Sequence, residues 1–297
     1  MARRIVFPTA QAWQFELEDF IRGISGGFLF GIPLLYTMEA WWIGSITEPP
    51  QMLALLGVTY LIVFLLNRTD GFRQVQPDSV RQAAMDSVEA LAIAVFCAVL
   101  MLILLRQITP STPLNEAIGK IVIEGMPFAL GVALARSILQ EEDEPDAHSD
   151  ALDCSPPPPP PPHKVAKELL KDVGATLVGA IIIGFSIAPT DEIPMLEAAI
   201  SPPWLLALLV VSLVLSYCIV FVAGFTAQRQ RRQQIGLFQR PLTETVLTYL
   251  VSLLTAACML WFFHRLGLRD PWFLWFKETL ILGLPATLGG AAGRLVL

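Results

Sequence analysis

The chain has few residues of the kinds that bind transition metals or form disulfides. Its four cysteines, Cys97, Cys154, Cys218 and Cys258, form no C-x-x-C pair, and three of them lie within apolar runs. Its three histidines form no H-x-x-x-H or H-E-x-x-H pattern. These spacings give no support for a zinc site, and packing is the better interpretation of the cysteines.

The sequence also lacks the short motifs of the common enzyme classes. It contains no P-loop, no nucleophile elbow, no recognisable triad and no haem signature. We therefore expect no enzyme activity and no bound cofactor. No apolar run carries regularly spaced arginines, which excludes a voltage sensor.

Charged residues are scarce, at 15% of the chain against 54% hydrophobic residues, and the mean hydropathy is +0.60. Several apolar runs approach the length that crosses about 30 Å of hydrocarbon. The sequence predicts an all-α polytopic membrane protein. The net charge of −6 does not indicate a partner, because residues 141–153 alone carry seven acids and no Lys or Arg. No basic patch suggests nucleic-acid binding.

Eight predicted spans follow an N-terminal amphipathic helix, residues 1–22, that we expect at the membrane interface. The spans cover residues 23–44, 51–67, 86–105, 119–138, 173–193, 203–225, 243–264 and 278–294. Pro33 predicts a tilt or a break in the first span. Between the fourth and fifth spans, residues 141–163 are acidic and then contain seven consecutive prolines, which is typical of a disordered linker.

The sequence contains an internal repeat, with two copies of one unit. An offset of 153 residues aligns Gly31 with Gly184, Thr37 with Thr190, and Glu39 with Glu192. An offset of 158 aligns residues 125–136 with 283–294, and Asp86 with Glu244. The two four-span repeats, 23–140 and 164–297, would insert in the same orientation, related by a pseudo-two-fold axis along the membrane normal.

The basic residues predict the orientation. Eight spans put both termini on one side, and that side collects fifteen Lys and Arg residues against five on the other. Positively charged loops stay in the cytoplasm, so we expect cytoplasmic termini in a bacterial inner membrane.

Acids near the outer side are the first candidates for function, because a carboxylate is expensive in lipid. They are the duplicated pair Glu39 and Glu192, with Asp191 beside the latter, and Glu124 near the outer end of the fourth span. Carboxylates suit Ca²⁺ or Mg²⁺, and rings of them select cations in pores. Glu39 and Glu192 are the predicted metal ligands, since they fall near helix C-termini, where the dipole disfavours an acid.

Structural interpretations compete with that hypothesis. Both duplicated acids could sit in the wet headgroup zone, and Lys120, one turn before Glu124, could neutralise it. Asp86 and Glu244, at the inner ends of the third and seventh spans, form a second candidate set. Acids in a first helical turn are also ordinary partners of the helix dipole.

Two G-x-x-x-G patterns indicate close helix packing. They are formed by Gly27 and Gly31 in the first span and by Gly289 and Gly293 in the last. The same patterns could also form the contact of a homodimer.

The motifs YTMEAWWIG (36–44) and PTDEIPM (189–195), inside an eight-span doubled frame, resemble a family of bacterial integral membrane proteins with no established activity. The resemblance covers nearly all of the chain apart from the linker. It supports the topology and implies nothing about chemistry.

The sequence thus favours a cation channel or transporter whose carboxylate-lined site lies at the repeat interface. Its partners would be the lipid bilayer and an inorganic cation, either a divalent ion such as Ca²⁺ or one coupled to protons. The alternative is a sensor or scaffold that acts without transport, through the linker 141–163 or the basic loop 229–240.

Overall fold

A computed structural model describes residues 9–69, Arg73, 79–139, 162–221 and 241–296. Within these ranges the chain forms eleven helices and no strand, so the all-helical prediction is confirmed. The described residues up to Leu139 form one compact unit, here unit 1, and those from Pro162 onward form another, unit 2. The basic loop 229–240 and nearly all of the predicted linker lie outside the described residues.

The two units have the same order of helices. Unit 1 contains α1 (Thr9–Leu35), the short α2 (Met38–Ile46), α3 (Pro49–Thr69), α4 (Val80–Leu104), α5 (Leu114–Ala133) and the one-turn α6 (Ala135–Leu139). Unit 2 contains α7 (Pro162–Ile187), the short α8 (Glu192–Ala199), α9 (Pro202–Phe221), α10 (Pro241–Phe262) and α11 (Trp272–Val296). In each unit a long helix precedes a short one, and three further long helices follow.

The first predicted span is not one straight helix. The predicted interfacial helix and the first half of the span form a single helix, α1, which ends at Leu35. The chain then bends by 88° before α2 begins at Met38. The indole Nε1 of Trp41, a buried residue, donates to the carbonyl oxygen of Leu35 at 2.8 Å and so holds α2 against the end of α1. The break that Pro33 predicts is real and lies about one turn further on.

One helix is central in each unit. Helix α5 contacts α1, α2, α3 and α4, and α11 contacts α7, α8, α9 and α10. Among the described residues, five other helices are long and apolar enough to cross a membrane, or six candidate spans if the bent pair α1 and α2 counts as one. The outer helices carry the apolar surface, as in α3, where Leu53, Leu61 and Leu65 are all more than half exposed.

The central helix crosses the first helix of its unit at glycine. A Cβ added at Gly26 or at Gly131 would overlap the other residue's carbonyl oxygen, so α1 and α5 touch through their backbones. Gly179 of α7 and Gly289 of α11 make the same contact in unit 2. These residues correspond at the offsets of 153 and 158, and the predicted G-x-x-x-G glycines lie at the same two crossings. A glycine interface lets helices approach closely without a large apolar contact.

The third long helix of each repeat, α4 in unit 1 and α10 in unit 2, also ends in the same way. Arg106 and His264, which correspond at the offset of 158, both have positive φ, 61° and 58°. The next amide donates back to the carbonyl of Leu102 in unit 1 at 2.8 Å and of Leu260 in unit 2 at 2.9 Å. This left-handed cap ends a helix, and it is built here without the usual glycine.

Candidate functional site

The duplicated acids lie at the beginning of short helices. Glu39 is in the first turn of α2, and Glu192 is the first residue of α8. The expectation that both fall near helix C-termini is therefore wrong, because the breaks after Leu35 and Ile187 start new helices there. The dipole at a helix N-terminus favours a carboxylate. Their surroundings differ, since Glu39 is exposed and Glu192 is buried.

Asp191 belongs to an ion pair at the surface of unit 2. Its Oδ1 accepts from Nη1 of Arg265 at 2.8 Å, and the same guanidinium also donates to the carbonyl of Pro189. Arg265 therefore ties the loop between α7 and α8 to the loop that follows α10. The Asp191 carboxylate is largely exposed, so this pair contributes little to stability.

Glu124 is the most deeply buried of the predicted acids. Only 1% of the residue is exposed, and its Oε1 has no hydrogen-bond partner among the described residues. The expected ion pair with Lys120 is not formed. Lys120 Nζ instead donates to Glu116 Oε1 at 2.7 Å and to the carbonyl of Gln107 at 3.1 Å.

The neighbours of Glu124 on α5 show what it faces. Lys120 and Phe128 lie one turn on either side of it, on the same face of the helix. The backbone of Lys120 packs on Gly44 of α2, and the ring of Phe128 packs on Gly31 of α1. Glu124 therefore lies between them, opposite the bend that joins α1 to α2.

Unit 2 has its own buried acid on the central helix. Glu278 is 4% exposed, and its Oε2 has no hydrogen-bond partner within the part of unit 2 that the structure describes. Sequence reasoning missed it, because the repeat offset aligns Glu278 with Lys120 and aligns Glu124 with Leu282. Its position at the start of the eighth predicted span, 278–294, was the available signal.

The inner candidates Asp86 and Glu244 are both bound to arginine. Nε of Arg73 lies 3.1 Å from Asp86 Oδ1, and Nη2 of the same residue lies 2.7 Å from Glu89. Glu244 pairs with Arg294, which also lies 3.2 Å from Asp172. These arginines balance the negative charge of the acids and link the ends of neighbouring helices.

The predicted metal site has no cluster of ligands to support it within either described unit. Among the described residues, no group of three or more His, Cys, Asp or Glu side chains is placed to hold a metal ion. The structural observation that remains is a single buried carboxylate on each central helix.

The crossing of the short helix and the central helix differs between the units. In unit 1, Gly44 and Gly119 bring the two backbones together, and a Cβ on Gly119 would overlap the Gly44 carbonyl. The corresponding residues of unit 2 are Glu197 and Lys277, whose side chains form an ion pair at 2.5 Å. Two glycines in one repeat are thus replaced by a charge pair in the other.

We expect Glu197 and Lys277 to be coupled in stability. Lys277→Met should cost about 1–2 kcal/mol, because the half-buried Glu197 loses its partner, and Glu197→Gln in the same chain should recover part of that loss. A double-mutant cycle from unfolding in detergent should give a coupling of about 1 kcal/mol. Additive effects of the two substitutions would show that the contact contributes nothing.

The chain matches a known protein family over most of its length. Residues 19–297 match the family described as "Putative integral membrane protein (DUF2391)". No curated protein and no solved structure matches the chain.

Proposed function

The chain belongs to this family of integral membrane proteins, and we propose that it crosses a membrane eight times and transports a cation through buried carboxylates. The eight spans are two repeats of four, inserted in the same orientation. Both termini lie in the cytoplasm of a bacterium, as the distribution of basic residues favours.

The position of the central helices supports the count of eight spans. Helices α5 and α11 are not among the apolar spans by composition, and they carry Glu124 and Glu278. Each is packed against four other helices of its unit, so little of its surface would have to face lipid. A carboxylate is costly in lipid, so acidic residues within membrane spans face other protein segments or a polar cavity.

The proposed transport rests on one observation, the burial of the Glu124 carboxylate without a hydrogen-bond partner among the described residues. An unpaired carboxylate in an apolar interior costs several kcal/mol unless a proton or a cation neutralises it. An ionisable residue inside a membrane span is therefore a candidate site for binding an ion or a proton. The adjacent bend between α1 and α2 interrupts the regular backbone, which occurs within membranes where the chain lines a cavity or is buried in protein.

A proton is the best-supported cation. One carboxylate binds and releases a proton without other ligands, whereas Ca²⁺ takes six to eight oxygen ligands. We therefore propose proton movement, alone or coupled to another ion. A divalent cation is the second candidate, which the sequence repeat suggests through the duplicated pair Glu39 and Glu192.

Ion flux into liposomes tests the proposal. Purified protein is reconstituted with an entrapped pH dye, and proton entry is driven by a valinomycin potential, with parallel assays for K⁺, Ca²⁺, Mg²⁺ and Mn²⁺. Glu124→Gln keeps the shape of the side chain and removes its charge, and it should slow proton flux by at least about tenfold. Glu48→Gln, at an exposed acid, is the control and should match the wild type.

Further outcomes separate the candidates. Loss of flux in the double variant Glu39→Gln, Glu192→Gln would include the duplicated acids in the path. Permeation by Ca²⁺ in place of protons would favour the divalent candidate. No flux above empty liposomes, for any ion under any gradient, would reject transport, and a role through the linker or the basic loop would then be the better proposal.

A further inference from the structure

A groove runs along the surface of unit 2 between α10 and α11. Its volume is about 310 Å³, and it is lined by Leu253, Trp272, Trp275, Phe276, Thr279 and Leu280. We name it the α10–α11 groove. Three of these six residues are aromatic and only Thr279 is polar, and the volume lies within the range of small-molecule binding sites.

The groove extends from one end of the helix pair towards its middle. Trp272 is the first residue of α11, and Leu280 lies eight residues further on, which is about 12 Å at the rise of an α-helix. Leu253 of α10 packs on the bare backbone of Gly283, one turn beyond Leu280, so the groove ends there. The groove therefore begins beside the loop that joins the two helices and runs inwards along α10, which is apolar enough to cross a membrane.

The open end of the groove is held in shape by the loop 267–271. The indole Nε1 of Trp275 donates to the carbonyl oxygen of Gly267 at 3.1 Å, which fixes one aromatic wall. The amide of Gly267 donates to Asp270 Oδ2 at 2.7 Å, so the carboxylate of Asp270 is turned back into the loop. A site that is already formed loses less conformational freedom when it binds a ligand.

The same loop presents an arginine to the solvent. Arg269 is exposed and forms no ion pair with any residue that the structure describes, whereas Arg265 at this end of the unit pairs with Asp191. Arg269 is two residues from Gly267, so their Cα atoms lie within about 8 Å of each other, close to the Trp275 wall. A guanidinium with free donors binds phosphate oxygens through two parallel hydrogen bonds.

The first repeat lacks both the aromatic walls and the cation. At the offset of 158, the three aromatic residues correspond to Leu114, Ala117 and Ile118, and Arg269 corresponds to Ser111. Unit 1 has the same order of helices as unit 2, so the fold of the repeat does not require these residues. The groove and its arginine are features of unit 2.

We propose that the α10–α11 groove binds one phospholipid of the surrounding bilayer, with an acyl chain along the groove and the phosphate on Arg269. The groove is apolar along its length and has a free cation only at its open end, which matches the polarity of a phospholipid. Trp272 at that end is 78% exposed, and exposed tryptophan rings are typical of the depth at which lipid headgroups lie. This binding does not depend on the proposed transport.

Photoactivatable lipids test the proposal, and unit 1 supplies the internal control. The protein is reconstituted into liposomes that contain a trace of a phospholipid with a diazirine in one acyl chain, irradiated, and digested for mass spectrometry. Residues 272–280 should be labelled at least about fivefold more than the matching residues 114–122, because a cation near the membrane surface adds about that factor to lipid binding. Equal labelling of the two segments would show ordinary contact with the bilayer and would overturn the proposal.

A diacylglycerol with the same diazirine chain distinguishes the phosphate from the chain. It should label residues 272–280 at least about fivefold less than the phospholipid does, because it has no phosphate for Arg269 to bind. Arg269→Gln should reduce the phospholipid labelling to the level of the diacylglycerol, and Arg68→Gln, at an exposed arginine of unit 1, should leave it unchanged. Equal labelling by the two lipids would mean that the groove accepts any apolar chain, and it would reject the phospholipid.

Residues of the first repeat test whether the chain lies in the groove itself. Trp272→Leu combined with Phe276→Ile removes two walls, and both side chains are at least half exposed, so the fold should be retained. The excess labelling of residues 272–280 over 114–122 should then fall to less than about twofold, because the apolar surface that held the chain is smaller. Elution of the variant as the wild type confirms folding, and undiminished labelling in the folded variant would place the chain elsewhere and refute the site.

Discussion

Gly179→Ala will destabilise the protein by about 2–3 kcal/mol, and Gly26→Ala will have the same effect through unit 1. In each case the added Cβ overlaps a backbone carbonyl of the central helix, that of Gly289 or of Gly131. A side chain could rotate away from the new methyl group, but a backbone carbonyl cannot. The two helices must therefore separate, and the contacts beyond the crossing weaken with them. Unfolding in detergent, followed by tryptophan fluorescence, measures the loss.

Two other glycines provide matched controls. Gly174 lies five residues before Gly179 on the same helix, Gly57 lies on α3, and a Cβ at either would meet no atom within 4 Å. Alanine there should be neutral or stabilising by up to about 1 kcal/mol, because it restricts the unfolded chain and favours the helix. A Gly174→Ala loss as large as that of Gly179→Ala would contradict the backbone crossing.

The sequence predicts the helical class because the apolar runs are long and the charges are few. It does not locate the bend in the first span, since residues 23–44 are apolar on both sides of Tyr36 and Thr37. The bend is stabilised by tertiary contacts, with Phe128 against Gly31 and Trp41 on the Leu35 carbonyl. Contacts between distant residues leave no local pattern in one sequence.

The repeat predicts which residues correspond, but correspondence does not fix their surroundings. Glu39 and Glu192 align at the offset of 153, yet one is exposed and the other is buried. Gly44 and Gly119 correspond to Glu197 and Lys277, so one crossing is made by two glycines in unit 1 and by an ion pair in unit 2. Identical residues in the two copies point to the duplicated acids Glu39 and Glu192. They do not point to residues that differ between the copies, such as Glu278.

The sequence identified individual acidic residues of the candidate site, but not the contacts that those residues make. Glu124 was a candidate because it lies within an apolar span, with Lys120 as its expected partner. A lysine reaches one turn in either direction along a helix, and Lys120 turns towards Glu116 and the Gln107 carbonyl.

Arg294→Leu will destabilise unit 2 by about 3–5 kcal/mol, because it leaves two partly buried acids of that unit, Glu244 and Asp172, without their cation. Only 1% of the Arg294 side chain is exposed, and its guanidinium contacts Glu244, Asp172 and Thr248. Arg294→Lys keeps the charge but has no planar fork to reach three acceptors, so an intermediate loss of about 1–2 kcal/mol is expected. Chemical unfolding in detergent measures both, with the exposed Arg68→Leu as a control that should stay within about 0.5 kcal/mol of the wild type.

A second substitution distinguishes lost charge compensation from lost packing. Arg294→Leu combined with Glu244→Gln removes one of the stranded charges and keeps the shape of the Glu244 side chain. If the cost arises from unpaired carboxylates, the double variant will recover at least about half of it, although either single change destabilises. If Arg294 acts mainly by filling space, the two losses will add. Recovery would also fit the arrangement in unit 1, where Asp86, the counterpart of Glu244, is paired with Arg73.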